Sequence, residues 1–136
     1  MSALWLALHF PLLALEAEHG PRPEPRVLVR ANRVLLANPA ARAAGVEAGL
    51  RLGTARALCE TLEVHEARAD QQHQALLREA RQLLALTPQV CPAPPATVLL
   101  EVGGCLKLFG GFAGLLARVD RYRLHCPLTS RLGIGP

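Results

Sequence analysis

The sequence predicts an α/β (α+β) fold in which a mixed sheet carries helices and a small helical insertion. Three observations predict this class. Short apolar runs of strand length alternate with segments whose apolar residues recur at helical spacing. Eleven glycines and eleven prolines separate these segments. Hydrophobic residues occupy 51% of the 136 positions, so a core can form although aromatic residues contribute only 4%.

The first part of the chain is predicted to contain three strands and a helix. Leu4–Leu8 is the first strand, and Leu12–Glu18 is a helix, because the preceding proline is tolerated in a first turn. Val27–Arg30 and Arg33–Ala37 are predicted to form an antiparallel hairpin. Ala31-Asn32 makes its turn, although Asn-Gly would be the favoured pair.

Two short helices are predicted to follow the hairpin. Asn38-Pro39 is a clear helix start, with asparagine as N-cap and proline at the first helical position. Gly45 stands where a left-handed residue ends that helix. The second helix is predicted over Thr54–Cys59, and Leu62–His65 is predicted to be a brief strand.

The longest helix is predicted over Ala69–Leu86. His73 lies near its apolar face and is predicted to be half-buried. The apolar residues of the helix that share one face at 3.6-residue spacing are Leu76, Ala80, Leu83 and Leu84.

The segment Cys91–Pro95 is predicted to be a rigid loop, because three of its five residues are proline.

The last part of the chain is predicted to hold two strands and a helix. Val98–Val102 is a strand, Phe112–Leu124 a helix, and Arg131–Gly135 the start of a final strand. The glycine-rich stretch Gly103–Gly111 lacks both the Gly-Lys-Ser/Thr ending and the spacing of a phosphate-binding loop, which excludes that interpretation.

Charge and cysteine content restrict the function only loosely. The net charge of +4 is compatible with a polyanionic partner but does not require one. The four cysteines form no Cys-x-x-Cys pair, and no histidine lies at zinc-ligand spacing from them. Reduced thiols and a cytoplasmic location are therefore predicted. The first apolar run is too short to span a bilayer, so no membrane association is predicted.

Three stretches together resemble the N-terminal, UmuC-like part of Y-family translesion polymerases. They are Leu4–Glu16, Val34–Cys59 and Val98–Gly111, and the opening Leu-Trp-Leu-Ala-Leu-His-Phe-Pro is most similar to the ImuB-type branch. The resemblance implies a palm-like mixed sheet with a helical fingers insertion. It assigns residues 1–37 to the first part of the palm, 38–66 to the fingers-like insertion and 67–136 to the second part, in one compact domain that is C-terminally truncated.

The resemblance also places neutral residues at the positions of the metal ligands. In active members, carboxylates hold two divalent ions that catalyse nucleotidyl transfer. Ala7 and His9 take the two acidic positions of the first strand, and Ala96 and Thr97 take those of the catalytic Asp-Glu pair. Glu101 is the one carboxylate in a nearby strand, and it is expected to cap a loop or pair with an arginine. No catalytic residue, no metal site, no cofactor and no enzymatic activity are therefore predicted.

The fingers-like segment retains more of the family pattern. Asn38–Val46 reads Asn-Pro-Ala-Ala-Arg-Ala-Ala-Gly-Val, against Tyr-Glu-Ala-Arg-x-x-Gly-Val in the family. Arg42 thereby matches an arginine that touches the triphosphate in active members, and its alternative role is a surface salt bridge. Arg51 and Arg56 are candidates for contact with the DNA backbone, and their alternative is a solvated helix face.

The resemblance favours a non-catalytic adapter of bacterial DNA-damage-induced mutagenesis. It implies contacts with the sliding clamp, an ImuA-like protein and an error-prone C-family polymerase, and weak binding to the DNA backbone. Two alternatives stay open. The chain could be the N-terminal fragment of an active translesion polymerase, or a basic interaction module unrelated to DNA repair. The second alternative would gain if Asn38–Cys59 did not form two short helices around the Gly45–Gly53 turn.

Overall fold

The computed structural model describes residues 3–17 and 20–136. The chain divides into two compact units, one formed by the chain up to Leu13 with Gln72–Pro136, the other by Ala14–Gln71. The strands and helices follow in the order β1 (Trp5–His9), α1 (Leu13–Glu16), β2 (Arg26–Arg30), β3 (Arg33–Ala37), α2 (Pro39–Ala43), α3 (Leu52–Leu58), β4 (Glu63–Glu66), α4 (Ala69–Leu83), β5 (Val90–Ala93), β6 (Thr97–Glu101), α5 (Phe112–His125) and β7 (Arg131–Gly135). The mixture of strands and helices confirms the predicted fold class.

The first unit is built on a four-stranded antiparallel sheet in the order β5-β6-β1-β7. Strand β1 lies between two neighbours, and its side chains alternate between the two faces. Leu6 and Leu8 are fully buried, whereas His9 is exposed. This alternation is typical of an antiparallel sheet with one face on the core. The fully buried residues of the sheet and of helices α4 and α5 are Leu6, Leu8, Leu76, Leu83, Val98, Leu100, Leu115 and Val119.

Helix α4 is shorter than predicted, but three of the four residues predicted to share its apolar face, Leu76, Ala80 and Leu83, are buried. It ends at Leu83 instead of Leu86, because the next turn closes with tighter bonds, such as that from Leu86 N to the Leu83 carbonyl at 2.9 Å. This tightening departs from the 3.6-residue spacing, and Leu84 is 53% exposed. His73 is also exposed, so both residues were wrongly assigned to the apolar face.

A buried carboxylate that the sequence analysis missed joins α4 to α5. Glu79 is only 5% exposed, and its Oε2 accepts a hydrogen bond from the Tyr122 hydroxyl at 3.1 Å. Cys126 Sγ lies 3.5 Å from Glu79 Oε1. Burial, followed by the nearby Glu79 charge, raises the pKa of Tyr122 far above its usual range, so the hydroxyl stays a donor.

The predicted rigid loop Cys91–Pro95 is wrong in its first part, which forms strand β5. Pro92 lies opposite Val98 in the β5–β6 pair. Proline removes a backbone donor and is therefore restricted to positions that need none, such as an edge strand. Because β5 is one of the two edge strands of the sheet, Pro92 is tolerated there.

The entry to helix α5 depends on a glycine. A Cβ atom on Gly114 would collide with the carbonyl oxygen of Phe109. The Phe109 ring in turn lies 5.5 Å from the Arg118 guanidinium, which is a cation–π distance. The loop that ends at Gly111 thus folds back closely over the first turn of α5.

The second unit contains the sheet β3-β2-β4, in which β2 and β3 are antiparallel and β2 and β4 are parallel. The predicted hairpin is confirmed. Ala31 and Asn32 both adopt left-handed backbone angles, with φ of 51° and 64°, as the two-residue turn of a twisted hairpin requires. The core residues of this unit are Val27, Val29, Val34, Ala37, Ala41, Val46, Ala55 and Cys59.

Helix α2 begins as the sequence predicts. The Asn38 side chain caps it, because Oδ1 accepts a hydrogen bond from Ala41 N at 3.0 Å. The same oxygen accepts from Arg26 N at 2.9 Å, and Asn38 Nδ2 donates to the Glu24 carbonyl at 2.7 Å. Gly45 follows the helix with a φ of 94°. A single buried side chain therefore ties α2 to strand β2 and to the loop before it.

Several boundaries differ from the prediction by one or two residues. Helix α3 begins at Leu52, two residues before the predicted start, and β4 ends at Glu66 instead of His65. Helix α1 spans Leu13–Glu16, and its predicted end at Glu18 lies outside the described residues. The predicted division at 37/38 and 66/67 stays a prediction, although the β2–β3 hairpin shares a unit with residues 38–66. No helix among residues 3–17 and 20–136 is long and apolar enough to cross a membrane.

Candidate functional site

The strand pairing brings the four positions of the expected metal ligands to one end of the sheet. His9 and Thr97 lie opposite each other in the β1–β6 register, with Ala7 two residues earlier on the same face of β1. Phe10 N donates to the Ala96 carbonyl at 2.8 Å, which closes the pair of strands at this end. Sequence segments almost ninety positions apart are therefore adjacent here, as the resemblance implies.

The side chains at these positions do not fit a pair of divalent ions. Ala7 and Ala96 carry only methyl groups, and Ala96 is 6% exposed. The Thr97 hydroxyl lies 2.9 Å from His9 Nδ1, so these two side chains are partners of each other. Magnesium and manganese sites of this kind need several oxygen ligands, above all carboxylates. Within the described part of the chain, no three histidine, cysteine, aspartate or glutamate side chains are grouped so as to hold a metal ion.

The one carboxylate of the β6 strand has a structural role. Glu101 Oε1 accepts hydrogen bonds from Gly103 N at 2.9 Å and from Leu4 N at 3.2 Å. It thereby caps the turn after β6 and holds the residue that precedes β1. The prediction that Glu101 caps a loop is confirmed.

The three candidate arginines all lie in the second unit and are exposed. Arg42 is in the last turn of α2, and Arg56 is in the last turn of α3. Arg51 immediately precedes α3 and makes a backbone bridge to Arg33, whose Nη1 donates to the Gly49 carbonyl at 2.9 Å. None of the three candidate guanidinium groups hydrogen-bonds to, or pairs with, a residue that the structure describes, including the salt bridge considered for Arg42. Their contact with a phosphate stays a prediction.

The second unit contains an ion-paired cluster that was not predicted from the sequence. Arg26 is only 3% exposed, and its Nη2 lies 3.3 Å from both carboxylate oxygens of Glu63, which also lies 3.0 Å from His65 Nε2. The hydrogen bond from His65, and then the hydrogen bond and charge of Arg26, lower the pKa of Glu63 against the opposing effect of burial. Arg26 and His65 line a cavity of about 290 Å³. No local motif signals this cluster, since its members come from two strands 37 positions apart.

The comparison with solved structures shows the fold of a polymerase domain. The chain is similar to a ternary complex of Dbh with partially disordered substrates, with a TM-score of 0.80 and 20% identity over 98% of this chain and 41% of that one. It is similar to a Y-family DNA polymerase chimera built on Dbh, with a TM-score of 0.78 and 20% identity over 98% and 42%. It is also similar to DinB from Sulfolobus solfataricus, with a TM-score of 0.75 and 20% identity over 98% and 42%. The chain thus spans about two fifths of the length of these structures.

Sequence comparison supplies the family. No curated protein sequence matches the chain. The model of the impB/mucB/samB family, in contrast, matches residues 12–136, which include the second unit and the first unit except for the segment that carries β1. The segment Asn38–Cys59 forms two short helices, α2 and α3, around a turn at Gly45 and Gly49, as expected for the fingers-like segment of this family. The chain therefore belongs to the impB/mucB/samB family.

Proposed function

We propose that this chain is a non-catalytic, polymerase-like adapter of the ImuB type that acts in bacterial DNA-damage-induced mutagenesis. One observation carries the proposal. The strands that would carry metal ligands are paired in register, yet the side chains there are those of Ala7, His9, Ala96 and Thr97. A sheet that keeps its backbone and loses its carboxylates is suited to binding and assembly, because two-metal nucleotidyl transfer needs those oxygens.

The buried face of the same sheet supports this reasoning. Leu6, Leu8, Val98 and Leu100 are fully buried on the two strands in question. Each such side chain contributes roughly 1.5–3 kcal/mol to folding. The sheet is thus well packed on this face, whereas Ala7, His9 and Thr97 lie on its opposite, accessible face.

Contact with DNA is the second part of the proposal. The structural relatives include a polymerase ternary complex, and this chain carries a net charge of +4. Arg42, Arg51 and Arg56 are exposed at the ends of the two short helices, where phosphates could approach without displacing a protein partner. Contacts of this kind are electrostatic, so binding is expected to be weak and strongly dependent on salt.

The partners follow from the ImuB resemblance and belong to the proposal. They are a sliding clamp, an ImuA-like protein and an error-prone C-family polymerase that performs the synthesis. The chain spans about two fifths of its structural relatives, so contacts made by the rest of such proteins lie beyond it. The alternative is a fragment of an active translesion polymerase, which would have to bind two divalent ions.

A primer-extension assay separates the two possibilities. The purified chain is incubated with a primed template, the four deoxynucleoside triphosphates and Mg²⁺ or Mn²⁺, and calorimetry with Mn²⁺ is run on the same preparation. We expect DNA binding without extension and without two tight ion sites. Extension that depends on this chain, or two tight Mn²⁺ sites, would establish the enzyme fragment and overturn the proposal.

A further inference from the structure

The open face of the first unit's sheet carries a line of polar side chains at one end. The strand registers place Arg131 of β7 opposite His9 of β1, and His9 opposite Thr97 of β6. We name these three residues the polar row. Because directly opposed residues have Cβ atoms about 4.5–5.5 Å apart, the three side chains form one continuous line across neighbouring strands.

The polar row offers hydrogen-bond donors to solvent. Arg131 and His9 are exposed, and Thr97 is partly exposed. His9 Nδ1 is engaged with the Thr97 hydroxyl at 2.9 Å, which orients the imidazole and leaves Nε2 outside any hydrogen bond with residues 3–17 or 20–136. Among those same residues, the Arg131 guanidinium has no hydrogen-bonding or ionic partner. The Arg131 guanidinium, which is permanently charged and carries several N–H donors, therefore lies beside the oriented His9 imidazole and the Thr97 hydroxyl.

The local electrostatic field favours an anion. Among the strand residues on this face, the acidic side chain is that of Glu101, four residues along β6 from Thr97. At the rise of a strand this separation is about 13 Å, which exceeds the screening length at physiological salt. Glu101 Oε1 also accepts two backbone hydrogen bonds, from Leu4 N and Gly103 N. The charge of Arg131 is thus not cancelled within the polar row.

The surface beside the polar row is open enough for an extended chain. The next positions inward on β7 and β1 are Gly133 and Ala7, and a Cβ atom on Gly133 would meet only the methyl group of Ala7, at 3.9 Å. Trp5 follows on the same face of β1 and is partly exposed. It lies directly opposite Glu101, so the phosphate contact is confined to the polar row and the aromatic ring marks the other end of the face. A flat surface that combines a cation, hydrogen-bond donors and an aromatic side chain complements a single-stranded polynucleotide.

We propose that the polar row Arg131–His9–Thr97 binds the phosphodiester backbone of single-stranded DNA directly, without a bridging divalent ion. In this arrangement, Arg131 supplies the charge that a metal ion would otherwise bring to the phosphate. The inference rests on the proposed DNA-binding, non-catalytic function, and it assigns a contact surface in addition to the arginines of the second unit.

The test measures DNA binding in the absence of metal. A fluorescein-labelled oligothymidylate is titrated with the chain in EDTA at several salt concentrations, and its anisotropy and the emission of Trp5, the chain's single tryptophan, are recorded. Arg131→Ala should weaken binding about three- to tenfold and reduce the magnitude of the salt slope by about 0.7, the value for one lost phosphate contact on a single strand. Arg131→Lys should keep the slope. The matched control is Arg121→Ala on helix α5, which should bind as the unaltered chain does.

The controls make each outcome decisive. Quenching of Trp5 at saturating DNA supports the placement on this face. The inference is overturned if Arg131→Ala binds like Arg121→Ala, if Trp5 emission does not change on binding, or if binding disappears in EDTA and returns with Mg²⁺. Absence of any DNA binding overturns it as well. Primer extension by the chain would instead overturn the proposed function, and the effect of Arg131 in EDTA would remain measurable.

Discussion

Replacing Asn38 by alanine should destabilise the second unit more than any exposed substitution. The side chain is 5% exposed and serves three backbone segments at once. Asn38 Oδ1 accepts from Ala41 N and from Arg26 N, and its Nδ2 donates to the Glu24 carbonyl. No water can replace all of these bonds in so enclosed a position without rearrangement of the backbone.

The magnitude follows from the bonds that are lost. Removing an N-cap costs about 1 kcal/mol. Leaving the buried Arg26 N–H without an acceptor costs about 1–3 kcal/mol more. The free energy of unfolding should therefore fall by roughly 2–4 kcal/mol in Asn38→Ala. Asn38→Asp keeps both acceptor functions and loses the amide that donates to the Glu24 and Arg22 carbonyls, so it should cost about 1–2 kcal/mol.

Urea unfolding followed by far-UV circular dichroism measures these differences. The midpoints of Asn38→Ala and Asn38→Asp are compared with that of Thr54→Ala, an exposed change on α3 that should stay within about 0.5 kcal/mol of the unaltered chain. If Asn38→Ala unfolds with the same midpoint as Thr54→Ala, the reasoning that this side chain joins α2 to β2 is refuted.

Two further predictions concern the loop before α5 and the ion pair of the second unit. Gly114→Ala should destabilise the chain by more than about 2 kcal/mol, because its Cβ atom would collide with the backbone at Phe109. The control Gly53→Ala places a Cβ atom that meets nothing within 4 Å, so it should be neutral or stabilising. Equal thermal melting temperatures of the two variants would contradict this prediction. The lowered pKa of Glu63 means that its contribution is present above the usual carboxyl pKa of 4.5 and is lost as pH falls through the folded-state value. The urea midpoint should therefore drop as the pH falls below about 5, and part of that drop should vanish in Glu63→Gln. Identical pH profiles would refute the assignment.

Local signals carried the predictions that succeeded. The hairpin over Arg26–Ala37 and the start of α2 at Pro39 depend on a few consecutive residues whose turn and capping chemistry can be read directly. Helix α5 also begins at Phe112 as predicted, directly after Gly110 and Gly111, which both have positive φ angles. In each case the residues that favour the observed conformation lie within about five positions of one another. Local preference and tertiary packing therefore agree at these sites.

Features that depend on distant partners could not be predicted. Strand β5 was missed because the proline rule excludes a strand unless it is an edge strand, and the sheet order is a property of the whole unit. The burial of Glu79 was not predicted, because the hydroxyl of Tyr122 that makes its burial tolerable lies 43 positions away. At the candidate site, the sequence alone showed that Ala7 and Thr97 are neutral residues. It could not show that Thr97 and Arg131 lie in one row, because that depends on the register of three strands.

The central position of β1 has a consequence for how the chain folds. Its two neighbours in the sheet, β6 and β7, follow much later in the chain, and His9 meets its partner on β6 at a separation of 88 positions. Closing loops of this length is entropically costly and slow, whereas the β2–β3 hairpin closes through a turn of two residues. During synthesis, the apolar strand β1 must therefore remain unpaired until β6 and β7 have emerged. The first unit should be the slower of the two to form and the more dependent on chaperones that shield exposed strands.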